Sequence, residues 1–77
     1  MSVRNFTRVF QRESGMTPAD FVETARVDSA RRLLEDTETP LQRVASACGF
    51  ANPDTMRRAF LRRIGTGPKE YRERFRR

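Results

Sequence analysis

The chain repeats itself at a spacing of fifty residues, and this repeat limits the folds open to it. When the 77-residue sequence is shifted by fifty positions, Gly15 coincides with Gly65 and Pro18 with Pro68. Glycine and proline of this kind fix turns and helix starts. A repeat of this length indicates one supersecondary unit used twice. The other identical pairs are Arg8 with Arg58, Phe10 with Phe60, Arg12 with Arg62, Glu23 with Glu73 and Arg26 with Arg76.

The second copy of the repeat begins with a short predicted helix. Thr39 is expected to cap it, with Pro40 at its first position. Gly49 is expected to end it, since glycine adopts a positive φ at little cost. Four apolar residues recur at the i, i+3, i+4, i+7 spacing of one helical face. They are Leu41, Val44, Ala45 and Cys48, the last interpreted as a buried structural thiol.

A second helix follows after only three residues, 49–51. Asn52 is its expected cap, Pro53 its first residue and Gly65 its end. Two helices joined by a very short turn with a leading glycine are typical of a helix-turn-helix unit. The apolar positions of the second helix are Met56, Ala59, Phe60 and Ile64.

Further helices are predicted on both sides of this unit. A long one starts at Pro18, after Thr17 as its cap, and runs to about Glu35. A short closing helix starts at Pro68, with Tyr71 and Phe75 in the core. The residues expected to face inward from the long helix are Phe21, Val22, Ala25, Val27, Ala30, Leu33 and Leu34.

The first copy of the repeat is shorter than the second. Its helix, capped by Ser2 and ending at Gly15, has the apolar stripe Phe6, Val9 and Phe10. The counterpart of residues 40–48 would lie before Met1, so the chain is interpreted as a truncated fragment. The expected fold is all-α: residues 1–15 hold the recognition helix of an incomplete first unit. Residues 16–36 hold a linker helix, and residues 37–77 a complete second unit with its closing helix.

Charge and composition narrow the function. Residues 57–77 contain nine basic and two acidic residues, whereas residues 1–56 contain seven basic and eight acidic ones. A basic segment of this kind predicts a polyanionic partner. Histidine is absent and Cys48 is the single cysteine, which excludes His/Cys zinc sites, an internal disulfide and a Ser-His-Asp triad. Neither catalysis nor a cofactor is expected, and no apolar run reaches the roughly 20 residues that span a membrane.

Four motifs follow one another along the chain. They are Phe10-x4-Gly15-x2-Pro18-x2-Phe21, Ala30-Arg31-Arg32-Leu33-Leu34-Glu35-Asp36-Thr37, Val44-Ala45-x2-Cys48-Gly49-Phe50, and Asn52 to Phe60 followed by Gly65-x2-Pro68-x2-Tyr71-Arg72. This ordered set resembles the C-terminal DNA-binding region of AraC-type (AraC/XylS) bacterial transcription regulators. Residues 52–60 most resemble members that carry a glutamine-amidotransferase-like or DJ-1-like N-terminal domain.

The resemblance implies a function and partners. Each recognition helix would enter the major groove of double-stranded DNA, and the intact regulator would contact RNA polymerase. An effector-binding or amidotransferase-like domain would precede the chain, and the protein would act in the bacterial cytoplasm at the nucleoid. Two other hypotheses remain open. The chain could be an interaction fragment that has lost DNA binding, or its arginine-rich end could bind another anionic surface, such as a membrane.

The resemblance implies candidate contact residues among the polar side chains that lie off each apolar stripe. Recognition helices present residues near their N-termini to base edges, and arginine reads guanine with two hydrogen bonds. Asp54 could instead stabilise the helix N-terminus through the helix dipole. The predicted base-reading residues are Arg4, Asn5, Thr7, Arg8, Asp54, Thr55, Arg57 and Arg58. The predicted phosphate-binding residues are Arg12, Arg62, Arg63, Arg74, Arg76 and Arg77.

Overall fold

A computed structural model describes residues 15–76, and within this range all regular structure is helical. The helices are α1 (Pro18–Asp36), α2 (Leu41–Ala47), α3 (Pro53–Ile64) and α4 (Pro68–Phe75). The all-α prediction is therefore confirmed for the described part of the chain. The predicted first recognition helix and its stripe, at residues 1–14, and Arg77 lie outside the described residues.

The long helix α1 begins where its capping residues predict. The Thr17 side chain accepts a hydrogen bond from the Asp20 N–H at 3.1 Å, and Asp20 Oδ2 accepts one from the Thr17 N–H at 3.5 Å. This reciprocal capping box, with Pro18 next to the cap, satisfies donors that a helix start leaves open. At the other end, the Thr37 N–H donates to the Leu33 carbonyl at 3.0 Å. The 19 residues of α1 make a rod of about 28 Å, at a rise of 1.5 Å per residue.

Helix α2 begins one residue later than predicted, and Thr39 does not cap it. The N-cap position is held by Pro40, without a side-chain hydrogen bond. Thr39 instead belongs to the loop after α1, where its N–H donates to Thr37 Oγ1 at 3.2 Å. The local Thr37–Thr39 contact has replaced the cap, as is common for short hydroxyl side chains in turns.

The turn between α2 and α3 depends on Gly49. This residue has a φ of 88°, and a Cβ atom there would lie 3.0 Å from the Nε of Arg26 on α1. Glycine thus meets the backbone requirement, whereas the Arg26 side chain is exposed and could move away from a Cβ atom. Behind it, the Phe50 N–H donates to the Ala45 carbonyl at 2.9 Å, and the Phe50 ring is buried. The turn is anchored by Phe50, which the helical spacing had not marked as a core residue.

Helix α3 is bounded as predicted. The Asn52 side chain accepts a hydrogen bond from the Thr55 N–H at 2.8 Å, and Pro53 is the first helical residue. Gly65 closes the helix with a φ of 77°. Both ends of the candidate recognition helix are thus set by local sequence.

One core holds the four helices together. The largest fully buried side chain is Phe60 of α3, and its ring meets that of Tyr71 on α4 edge to face, with centroids 6.0 Å apart. Leu33, Leu41 and Cys48 pack against the core and remain partly exposed. The buried core residues are Val27, Ala30, Leu34, Val44, Ala45, Phe50, Met56, Ala59, Phe60 and Tyr71.

The predicted inward face of α1 is too wide. Phe21 is 51% and Val22 is 43% exposed, and Ala25 is exposed as well. The buried positions are Val27, Ala30 and Leu34. Extended toward the N-terminus at the same helical spacing, this face reaches residues 23 and 20, which are acidic. The prediction from apolar residues alone was therefore wrong in this part of α1, because acidic residues continue the face of the helix that packs against the rest of the protein.

Two apolar residues predicted for the core of the C-terminal unit are also exposed. Ile64 lies in the last turn of α3 and is 36% exposed. Phe75 lies at the end of α4, where its ring contacts that of Tyr71 at a centroid distance of 4.7 Å and remains 46% exposed. Helix ends have neighbours on fewer sides, which explains both departures.

Candidate nucleic-acid interface

Helix α3 has a buried apolar stripe and an exposed surface that is polar apart from Leu61, which is 45% exposed. Met56, Ala59 and Phe60 are buried in the core. The predicted base-reading residues of this helix lie off the buried stripe and are exposed. They are Asp54, Thr55, Arg57 and Arg58. The buried side of α3 thus packs against the core, and its exposed side is accessible to a partner.

Three charged residues at the start of α3 form an ion-paired group, which we term the N-terminal cluster: Asp54, Arg57 and Arg58. Asp54 Oδ1 accepts a hydrogen bond from Arg57 Nη2 at 2.9 Å. Asp54 Oδ2 lies 2.9 Å from Arg58 Nε. The hydrogen bond from Arg57 is the main reason why the pKa of Asp54 is lowered. All three side chains remain at least half exposed, since Arg57 is 54%, Arg58 69% and Asp54 51% accessible.

Thr55 belongs to the helix cap as well as to the exposed face. Its N–H and its hydroxyl both donate to Asn52 Oδ1, at 2.8 and 2.9 Å. With its proton used in this way, the hydroxyl can still accept a hydrogen bond. Thr55 can therefore serve a base-edge donor without loss of the cap.

Two arginines at the end of α3 form a second ion-paired group with α1, which we term the C-terminal cluster: Arg62, Arg63, Asp20 and Glu23. Glu23 accepts from Arg62 Nε at 3.0 Å and Nη2 at 2.7 Å. Glu23 also accepts from Arg63 Nε at 2.8 Å, and Asp20 accepts from Arg63 Nη2 at 2.8 Å. The candidate recognition helix is thereby tied to the linker helix by charge-assisted hydrogen bonds.

The carboxylates of the C-terminal cluster are stabilised in their charged form. The pKa of Glu23 is lowered, first by the hydrogen bond from Arg62. The pKa of Asp20 is lowered, first by the hydrogen bond from Arg63 and then by Thr17. No role was predicted for either acidic residue. Their position on the same helical face as Val27 and Ala30 was the available signal.

Helix α4 is fixed to α1 by polar contacts around a buried tyrosine. The Tyr71 hydroxyl accepts from Arg31 Nε at 3.0 Å and donates to Glu35 Oε2 at 2.8 Å. Arg72 donates to the carbonyls of Leu34 and Thr37, both at 3.3 Å, near the end of α1. Helix α4 is thus joined to the C-terminal half of α1.

The other predicted phosphate contacts lie at two places. Arg74 is exposed on α4, with its guanidinium carbon 5.6 Å from the centre of the Phe75 ring. Arg76 follows α4 and forms an ion pair with Glu38. The remaining predicted contact residues lie outside the described range. These are Arg4, Asn5, Thr7, Arg8, Arg12 and Arg77.

The comparisons with known proteins agree with this architecture. A family model described as "Helix-turn-helix domain" matches residues 1–74, and the matching regulators are of the AraC type. The class is thus that of helix-turn-helix proteins. The chain belongs to the AraC-type helix-turn-helix family, as its motifs predicted.

Individual relatives give the degree of similarity. The chain is 48% identical over 75 residues to the HTH-type transcriptional regulator Rv1931c of Mycobacterium tuberculosis, covering 97% of this chain and 29% of that protein. It is similar to the DNA-binding domain of AdpA, a global transcriptional factor solved in complex with a target DNA. That match has a TM-score of 0.88 and 39% identity, and covers 97% of this chain and 68% of that one.

A further solved structure shares the fold. The match to the xylose-binding transcription activator XylR has a TM-score of 0.86 and 26% identity, and covers 100% of this chain and 20% of that one. The chain therefore spans only part of the length of such regulators. Among the helices described here, none is both long and apolar enough to cross a membrane.

Proposed function

We propose that the chain is the DNA-binding part of a transcription regulator and that α3 reads bases in the major groove. The observation that carries this proposal is the two-faced build of α3. Its apolar side is buried with Phe60 at the centre, and its basic side is exposed near the helix start. Recognition helices of helix-turn-helix proteins use this end to contact base edges. The solved AdpA domain with its target DNA supports the same reading.

Base recognition is assigned first to the N-terminal cluster. Arg57 and Arg58 suit guanine, whose O6 and N7 accept two hydrogen bonds from one arginine. Thr55 and Asp54 can contact other base edges. The first copy of the repeat supplies a second reader in this proposal, with residues 1–15 joined by the linker segment 16–36 to the unit of residues 37–77. Its base contacts are Arg4, Asn5, Thr7 and Arg8.

Phosphate contacts are assigned to the outer arginines. Arg74 and Arg76 lie at the end of α4, where contacts can fix orientation without sequence information. Arg62 binds Glu23 through Nε and Nη2 and is 56% exposed. A guanidinium has five N–H donors, so Arg62 can hold the carboxylate and a phosphate at once. Arg63 is only 25% exposed and is the weaker candidate. Arg12 and Arg77 complete the proposed set.

The longer protein would supply the regulatory parts. The chain spans 29% of the length of the mycobacterial relative. We expect an effector-binding or amidotransferase-like domain in the remainder, and contact with RNA polymerase at the promoter. The proposed function needs neither catalysis nor a cofactor in these residues. A regulator of this type would act in the bacterial cytoplasm.

The salt dependence of DNA binding tests this function. Fluorescence anisotropy with a labelled 30-base-pair duplex, from 50 to 200 mM salt, gives the slope of log K against log salt. Each arginine–phosphate contact should add about −0.9 to this slope, so several contacts give a steep line. A slope near zero would contradict DNA binding and favour an interaction fragment. Tighter binding to phosphatidylserine vesicles than to any duplex would favour a membrane-surface partner.

A further inference from the structure

We propose that Asp54 is a positioning residue that sets sequence specificity. It holds Arg57 and Arg58 in the orientation that reads bases, and it disfavours their binding to phosphates of unrelated DNA. This inference rests on the proposed function and assigns Asp54 a role separate from a base contact of its own. It also differs from the stabilisation of a helix start by a nearby acidic residue.

The geometry of the N-terminal cluster supports this role. Asp54 is the second residue of α3, so residues three and four positions later lie on the same face. Each carboxylate oxygen binds a different arginine, both at 2.9 Å. One acidic side chain therefore restrains two candidate readers together.

The atoms that Asp54 leaves available are suited to base reading. Arg58 forms its ion pair with the carboxylate at Nε, 2.9 Å from Asp54 Oδ2, and the N–H groups of its terminal nitrogens, Nη1 and Nη2, can serve other acceptors. A bidentate contact with guanine O6 and N7 needs two such neighbouring donors. Arg57 binds through one N–H of Nη2 and keeps the second N–H of Nη2 together with those of Nη1 and Nε. The ion pair therefore orients the guanidinium groups without using up the donors that reading requires.

The same carboxylate should weaken binding to unrelated DNA. An unrestrained arginine can turn to any phosphate within reach, and such contacts carry no sequence information. The negative charge of Asp54 repels phosphates and competes for both guanidinium groups. Specificity is the difference between the affinities for the preferred sequence and for other DNA. A group that weakens binding to other DNA therefore raises specificity. Asp54 should therefore lower affinity for unselected DNA more than for the preferred sequence.

Stabilisation of the helix start alone would give a different result. Asn52 and Pro53 already supply the cap and the first residue of α3. If Asp54 only interacted with the helix dipole, its loss would lower the melting temperature and weaken all DNA complexes alike. The ratio of the two affinities therefore separates the two roles.

The experiment uses the 77-residue chain and a pool of duplexes with a randomised centre. Rounds of binding and amplification with the wild-type chain give a selected duplex. The dissociation constants of wild type and Asp54→Ala are then measured for the selected duplex and for the unselected pool at one salt concentration. We expect Asp54→Ala to bind the pool about two- to fivefold more tightly, as for the loss of an exposed ion pair. We expect the ratio of the two affinities to fall by about five- to tenfold, within the range for a base contact.

A matched control and a second variant complete the design. Asp28 on α1 forms a similar exposed pair with Arg31, at 3.2 Å and a spacing of three residues. Asp28→Ala removes the same charge away from α3 and should leave the ratio unchanged. Asp54→Asn retains an oxygen acceptor and a nearly equal volume, and it should lower the ratio less than Asp54→Ala. If Asp54→Ala unfolds below the temperature of the assay, the affinity ratio of Asp54→Asn tests the inference in its place.

Two further outcomes separate this inference from the proposed function. An unchanged ratio in both Asp54 variants, or equal weakening of both complexes, would overturn the inference alone. A wild-type chain that enriches no sequence from the pool would overturn the inference together with the proposed function.

Discussion

The two ends of helix α3 use the same residue types in different ways. At its start, Arg57 and Arg58 bind Asp54, an acidic residue of the same helix three and four positions away. At its end, Arg62 and Arg63 bind acidic residues of α1 that lie about forty positions earlier in the chain. The first group is local and the second joins two helices. The position of the acidic partner, and not the arginine itself, therefore decides whether an end of α3 forms a local ion pair or is joined to α1.

Exposure strengthens this contrast. Arg58 is 69% exposed, whereas the Arg63–Glu23 pair is 25% and 23% exposed. An exposed ion pair contributes about 0–1 kcal/mol, because water and salt compete with it. Charge-assisted hydrogen bonds are stronger when several meet in a less exposed place. The N-terminal cluster therefore contributes little to stability and remains accessible to DNA, while the C-terminal cluster keeps α3 oriented on α1.

The largest expected effect falls at the start of the helix. Arg58→Ala should reduce discrimination between the preferred and other sequences by about 1–3 kcal/mol, the value of a good bidentate contact. The melting temperature should hardly change, because the side chain makes only an exposed pair. Dissociation constants for the selected duplex and single-base variants of it measure the effect. Equal weakening of every duplex would contradict the base-reading role.

At the end of the helix, stability should change instead. Glu23→Ala removes three hydrogen bonds to charged donors and should lower the free energy of unfolding by about 1–2 kcal/mol, reduced for partial exposure. Thermal unfolding followed by circular dichroism measures this loss. Base preference should be retained. Glu73→Ala is the matched control, since Glu73 is the repeat counterpart of Glu23 and is exposed on α4. An equal loss in both variants would contradict the special role of Glu23.

Acid should weaken the C-terminal cluster. The pKa values of Glu23 and Asp20 are lowered in the folded chain. A lowered pKa gives a stabilisation that is fully present above the unfolded value, about 4.3 for glutamate. It is lost as the pH falls through the folded value. Melting temperatures between about pH 6 and pH 3 should fall more steeply for wild type than for Glu23→Gln. Parallel curves would show that Glu23 carries no such coupling.

The smallest effect is expected beyond α4. Arg76→Ala should weaken binding to all duplexes alike and make the salt slope shallower by about 0.9. The anisotropy titration, repeated at several salt concentrations, measures this. A change in base preference would instead give Arg76 a role in reading.

Local features of the fold could be predicted from the sequence. Thr17 with Pro18 sets the start of α1, and Asn52 with Pro53 sets the start of α3. Each depends on a side chain and a backbone group within three residues, so the sequence order alone places them. The exposure of the arginines of α3 could be predicted in the same way, because these residues lie off the apolar stripe of the helix. The prediction that Thr39 caps α2 was wrong, because Thr39 forms a hydrogen bond with another local partner, Thr37.

Features that depend on contacts between helices could not be predicted in this way. The pairing of Glu23 with Arg62 requires the crossing of α1 and α3, which periodicity does not encode. The exposure of Phe21 and Val22 has the same origin, because the packed face of α1 continues through acidic residues. Phe50 lies in a turn, where no helical spacing marks it as buried.

Double-mutant cycles on one ion pair from each end of α3 test the contrast between the two ends most directly. The pairs are Glu23 with Arg63 and Asp54 with Arg58, each replaced by alanine singly and together. For Glu23 with Arg63, we expect a measurable coupling in the free energy of unfolding and none in base discrimination. For Asp54 with Arg58, we expect coupling in discrimination and a value near zero in unfolding. The reverse pattern, or equal coupling of both pairs in unfolding, would contradict the division of roles along α3.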